Sequence, residues 1–191
     1  MPQSSIEILL KSKKTVFTIQ ELAYFWKINN QNTLKSKAHL LVRNKKLTAL
    51  HKGIYAVDSN YDKFELAGKL KSPSYVSLET ILRKSGIIFQ YGTDITSMSN
   101  VSKTIECQGV NYVYHKIKDN ILFNKKGLGL LDNYYLAIPE RAFLDTIYLN
   151  KNYYFDNLSC IDWKKCFSLV KIYKNKTLKR RLKEYYRDYV R

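Results

Sequence analysis

The sequence predicts an α+β protein in two parts. Residues 1–58 read as short helices and a hairpin, and residues 62–191 as a mixed α/β segment with a basic helical tail. Three observations predict this. The N-terminal part carries two Ser/Thr-x-x-Glu capping boxes, each running into apolar residues at helical spacing. The middle carries β-prone runs punctuated by Gly and Pro. The end returns to helical spacing, with Lys and Arg over most of the surface.

Ser4 and Glu7 open a first helix over about 5–12, with Ile6, Leu9 and Leu10 on one face. "TVF" is short and β-prone. Thr18 and Glu21 form the second box, and Ile19, Leu22, Ala23 and Trp26 follow at i, i+3, i+4 and i+7, which predicts about two helical turns. Asn29-Asn30 supplies turn chemistry and a cap for a third helix that ends near Asn44. Its apolar face is Leu34, Ala38, Leu41 and Val42. "LTALHKGIYAV" then alternates as a hairpin with Gly53 in the turn and His51 and Lys52 at the tip. Helix, short turn, polar helix and basic hairpin together predict a winged helix-turn-helix. In such a unit the third helix enters the major groove, where base edges offer donors and acceptors. Gln31, Asn32, Thr33, Lys35, Ser36, His39 and Arg43 are the candidate DNA contacts on that helix, and His51 and Lys52 on the wing. The same elements also occur in protein-binding modules, which would show no DNA affinity at physiological salt.

Charge supports a polyanionic partner. The 191 residues hold 33 Lys and Arg against 16 Asp and Glu, a formal charge of +17. The excess sits at the ends, with 10 cations to 3 anions over residues 1–60, 12 to 10 over 61–160, and 11 to 3 over 161–191. No apolar run approaches the roughly 18 residues that a membrane span needs, and "MPQSSIEILLKSKK" does not read as a signal peptide. A cytoplasmic location without a membrane partner is expected. Cys107, Cys160 and Cys166 are odd in number and lack CxxC spacing, so they read as buried free thiols.

In the middle, "YDKFELAGKLKSPSYVSLETILRKSGIIFQ" reads as a helix, a break at Pro73 and a second helix over about 77–84, which Gly86 ends. "TDITSMSN", "SKTIECQG" and "VNYVYHKI" are β-prone, the last two forming a hairpin through Gln108-Gly109. "YYLAIPERAFLDTIYLN" turns from strand to helix at Pro139. Four stretches, "FTIQELA…TLKSKAHLLVRNKKLTALHKGIYAV", "YVSLETILRKSGII", "YHKIKDNILF" and "YLAIPERAFLDTIYL", resemble the AbiEi antitoxin family in order and spacing along roughly 150 residues. The resemblance implies an N-terminal winged helix that binds repeats in the promoter of its own operon, and a C-terminal antitoxin domain. It also implies a type IV toxin-antitoxin system of abortive phage infection. The functional partner would be an AbiEii-like nucleotidyltransferase toxin, countered without a stable complex. The sequence departs from the family after "ILF", where Asn124-Lys125-Lys126 precedes Gly127. Glu140, Arg141 and Asp145 match the charged positions of "PERAFLD" and read as a helix N-terminal charge with structural hydrogen bonds.

In the tail, "DWKKCFSLVKIY" and "TLKRRLKEYYRDYV" read as helices. Leu178, Leu182, Tyr185 and Tyr189 share one face, and Lys179, Arg180, Arg181, Lys183 and Arg187 form a candidate second basic surface. The paired tyrosines 112/114, 134/135 and 153/154 read as sheet faces and core. Nothing in the sequence calls for catalysis, a metal or a cofactor: it holds no GxxxxGK[ST], HExxH, GxSxG or Glu-x-Lys, and its three His are far apart. The expected function is a sequence-specific autorepressor and antitoxin. The alternative is an RNA-binding or nuclease-like effector that uses the winged helix to position nucleic acid.

Overall fold

Ser4 and Thr18 each accept a hydrogen bond from the backbone N–H of the glutamate three residues on, and each glutamate accepts one in return from the cap N–H, so both predicted boxes form. They start α1 (Ser5–Leu10) and α2 (Ile19–Trp26) in a computed structural model that describes residues 4–190. Between them lies β1 (Val16–Thr18). Asn30 caps α3 (Gln31–Arg43), and β2 (Thr48–His51) and β3 (Ile54–Ala56) follow. The strands form an antiparallel sheet in the order β1-β3-β2. Leu9, Phe17, Leu22, Trp26, Leu34, Ala38 and Leu47 close a small core between the helices and this sheet. α1 is shorter than the expected 5–12 because Ser12 and Lys13 turn out of it, Lys13 at φ 59°.

The rest of the chain is α4 (Lys63–Leu70), β4 (Ser74–Val76), α5 (Glu79–Lys84), β5 (Ile95–Ser99), β6 (Lys103–Cys107), β7 (Val110–Lys116), α6 (Asp119–Leu122), β8 (Leu128–Leu131), β9 (Tyr134–Ala137), α7 (Pro139–Leu149), α8 (Trp163–Leu169), a 3-10 turn (Val170–Tyr173) and α9 (Lys176–Val190). The six strands order as β6-β7-β5-β4-β9-β8, with β5/β7 and β4/β9 parallel and the other pairs antiparallel. The chain is thus α+β, with a mixed sheet. α4 covers one face, where Tyr114 donates to the Ala67 carbonyl and Gly68 lies against Tyr134. α7 covers the other, where Tyr75 and Ser77 donate to Asp145.

Two expectations are corrected here. The break at Pro73 is followed by a central strand, β4, before helix α5 begins at Glu79 rather than Ser77. Its three residues are too few to show alternation. Cys107 and Cys166 are buried free thiols, but Cys160 is exposed.

The N-terminal sheet also packs on the second body of structure. Val16, Leu50, Ile54 and Ala56 belong to the same apolar cluster as Leu66, Tyr75, Tyr112 and Phe143. The buried carboxylate of Glu65 on α4 accepts from Thr15 N–H (2.9 Å), Thr15 Oγ1 (2.8 Å) and Val16 N–H (3.2 Å). The Cys107 thiol reaches the Leu50 carbonyl at 3.1 Å.

Candidate nucleic-acid interface

α3 is amphipathic because Leu34 and Ala38 are buried while its other faces carry polar side chains. Asn30 Oδ1 accepts from the backbone N–H of Asn32 and Thr33, and from the Thr33 hydroxyl at 3.3 Å. The Thr33 hydroxyl is therefore engaged with the cap. Gln31, Asn32, Lys35, Ser36, His39 and Arg43 lie off the buried face, and all six are exposed. Lys35, Ser36, His39 and Arg43 line one open depression along the helix, together with Leu40. Lys37 instead folds back, with Nζ 4.8 Å from the Trp26 ring centroid.

The turn between β2 and β3 is tied to the same region. Ile19 N–H donates to the Gly53 carbonyl at 2.8 Å, and Gly53 sits at φ 73°, where a glycine is unstrained. Ile19 also lines the groove that holds Gln31 and Lys35 between α2 and α3. His51 and Lys52 are exposed at the turn, after a register shift between Ala49 and His51. The geometry thus brings the two sets of sequence-predicted residues to adjoining surfaces.

Electrostatics at this surface are one-sided. From Leu22 to Val57 the chain holds seven Lys and Arg and no Asp or Glu. Among the described residues no carboxylate lies within ion-pair distance of Lys35, His39, Arg43, His51 or Lys52. Glu21, at the start of α2, is neutralised by Lys14 (2.6 Å) and Lys69 (2.5 Å). Partial burial raises its carboxyl, but the two ammonium groups and the Thr18 N–H outweigh this and bring it down to about 2.

No protein-family model matches the chain. No curated protein matches it either.

The candidate basic surface of the tail is split by the structure. Lys179, Arg180, Lys183 and Arg187 are exposed on α9. Arg180 pairs with Glu184 at 3.7 Å, and Arg187 with Asp188 at 3.3 Å. Arg181 turns inward, where its guanidinium donates to the carbonyls of Ile147 (2.6 Å) and Tyr148 (3.4 Å) at the C-terminal end of α7. It caps that helix and does not face solvent with the others.

Glu140, Arg141 and Asp145 are all buried. Asp145 accepts from the hydroxyls of Tyr173 (2.6 Å), Ser77 (2.8 Å) and Tyr75 (3.0 Å), and Arg141 Nε lies 3.5 Å from its Oδ1. The Arg141 guanidinium donates to the carbonyls of Lys126 and Ile121, both at 2.9 Å. Burial pushes the Asp145 carboxyl upward, against the pull of Arg141 and three hydroxyl donors. The network joins β4, α6, the loop before β8, α7 and the 3-10 turn. Its charged members were legible in "PERAFLD", but Tyr75, Ser77 and Tyr173 carried no sequence signal. Among the described residues no three His, Cys, Asp or Glu gather as a metal site, and no helix is long and apolar enough to cross a membrane.

Proposed function

We propose that residues 1–58 form a winged helix-turn-helix and that the chain is a sequence-specific DNA-binding autorepressor. α3 lies in the major groove, with Gln31, Asn32, Lys35, Ser36, His39 and Arg43 toward bases and phosphates. His51 and Lys52 meet the backbone from the wing. The observation that carries this reading is the outer face of α3: polar and cationic, with no carboxylate in the surrounding stretch of sequence. A polyanion lowers the self-repulsion of such a surface, and hydrogen-bonding side chains on a helix can match base edges. The further step, that the chain is the antitoxin against a nucleotidyltransferase-like toxin in a type IV system, is supported by the four stretches that resemble AbiEi proteins. The exposed cations of α9 are proposed to add phosphate contacts.

The deciding experiment is a gel shift on the DNA upstream of the chain's own gene against scrambled DNA, at physiological salt. A preference of roughly a thousandfold is the expected specific result. Equal, steeply salt-dependent binding to both would reduce the surface to a general polyanion patch, and metal-dependent cleavage of the probe would favour an effector. Lys35→Ala and Arg43→Ala should each weaken binding to the upstream DNA by about 1–3 kcal/mol without moving the thermal midpoint. Unchanged affinity in both variants would exclude α3 as the recognition helix. Growth rescue on co-expression with such a toxin tests the antitoxin half.

A further inference from the structure

Two turns leave the shared apolar cluster side by side. On β2, Leu50 is buried and His51 begins an exposed stretch, and the chain returns to the core at Ile54. On β6, Cys107 is buried, Gln108 and Gly109 are exposed, and the chain returns at Val110. Leu50, Ile54, Cys107 and Val110 all belong to one cluster. The Cys107 thiol lies 3.1 Å from the Leu50 carbonyl oxygen. Ordinary bond lengths then put the two Cα atoms within roughly 8 Å of each other. Each of these residues is the last buried one before its turn, so the β6–β7 turn starts where the β2–β3 turn starts. The β6–β7 turn also offers donors. Gln108 at φ 52° and Gly109 at φ 70° form a two-residue hairpin turn. Among the described residues nothing accepts from the N–H groups of Gln108 and Gly109. Gln108 adds a side-chain amide. The carboxylate of β6 itself, Glu106, is directed away: successive strand residues alternate in face, and it is Cys107 that meets Leu50.

The geometry points to the β6–β7 turn as a second prong on the DNA backbone, beside His51 and Lys52. The Gln108 amide and the N–H groups of the turn donate to phosphate oxygens there. Such a contact needs no cation, since side-chain amides and backbone N–H groups also bond phosphates and fix a protein's position on a duplex. It belongs to the larger body of the chain, so it seats that body on the DNA together with residues 1–58. The inference rests on the DNA-binding reading proposed above, and it adds a residue that neither charge nor helical spacing marks.

The test measures affinity of the full chain for the duplex upstream of its own gene as a function of salt. Gln108→Lys places a cation at the turn. Lysine tolerates the backbone there, since Lys13, Lys27, Lys45 and Lys174 hold positive φ elsewhere in the chain. The variant is expected to melt as wild type does and to steepen the log–log salt dependence by about 0.9, the value of one more neutralised phosphate. Gln108→Ala should weaken binding by about 2–10-fold, the loss of a net hydrogen bond. Thr104→Lys is the control. It adds the same charge to an exposed position of β6 about 14 Å back along the strand, beyond the screening length of about 8 Å at physiological salt, and should leave the slope unchanged. An unchanged slope in Gln108→Lys overturns the proposal, and so does an equal rise in Thr104→Lys, which would reduce the effect to net charge. The underlying reading is tested separately by Lys35→Ala and Arg43→Ala. If these weaken binding while the Gln108 variants do not, the prong fails and α3 remains the DNA contact. If none of the four changes affinity, both fall.

Discussion

At the scale of single residues, the chain separates charges that hold the fold from charges that face outward. Asp145 and Arg141 belong to the first kind. Replacing Asp145 with Ala leaves a buried guanidinium without its carboxylate and three hydroxyls without their acceptor, and should cost about 3–5 kcal/mol in urea unfolding. Glu21 belongs to the same kind at a smaller magnitude, and its pH signature follows from the direction of its shift. Its carboxyl falls from 4.5 to about 2 on folding, so its contribution is complete above pH 4.5 and fades as pH drops toward 2. Glu21→Gln should lower stability by about 1–2 kcal/mol at neutral pH, and the gap to wild type should close over that acid window. Lys35, His39 and Arg43 are outward, with no carboxylate among the described residues to answer them. The sequence made these legible, because helical spacing alone places them off the Leu34/Ala38 face. It did not reveal that the Thr33 hydroxyl turns to the cap or that Lys37 covers Trp26, since both depend on side-chain rotamers and on a neighbouring helix.

At the scale of elements, capping chemistry and turn chemistry were readable wherever a local rule dictates the backbone. Ser4, Thr18 and Asn30 start helices as their side chains require, Pro139 opens α7, and Gln108-Gly109, with both φ positive, closes the β6–β7 hairpin. β4 and β8 were not readable. β4 is three residues long and owes its existence to β5 and β9 on either side. β8 interrupts its apolar pattern with Gly129 and is defined by β9 alone. α9 was legible as a helix with a leucine face, yet the five cations singled out on it, Lys179, Arg180, Arg181, Lys183 and Arg187, divide by what they touch, and no periodicity shows that. Removing Lys179, Arg180, Lys183 and Arg187 together should leave stability nearly unchanged and flatten the salt dependence of DNA binding, by about 0.9 in the log–log slope for each phosphate no longer neutralised. Arg181→Ala should do the reverse: a loss of about 1–2 kcal/mol of stability with the other four cations still presented to solvent. A lowered melting temperature in the first variant, or an unchanged one in the second, would contradict this division.

At the scale of the whole molecule, the sequence suggested a boundary near residue 60 from composition and turn chemistry. What it could not show is how much apolar surface the two sides share, because Val16, Leu50, Ile54 and Ala56 alternate as any half-buried strand would. Their partners are far away in the chain, and so is Glu65, whose carboxylate holds the backbone of Thr15 and Val16. That single carboxylate has a thermodynamic consequence. A ligand that stabilises the folded form of one region stabilises whatever unfolds together with it. With its backbone anchored through Glu65 and its sheet buried against the larger core, the α3 face cannot be titrated in isolation. DNA bound there should raise the melting temperature reported by tryptophan in α8, far along the chain, as well as that of α3 itself. Conversely, a lesion deep in the Arg141–Asp145 network would be felt as a loss of occupancy on DNA, although it touches no nucleotide.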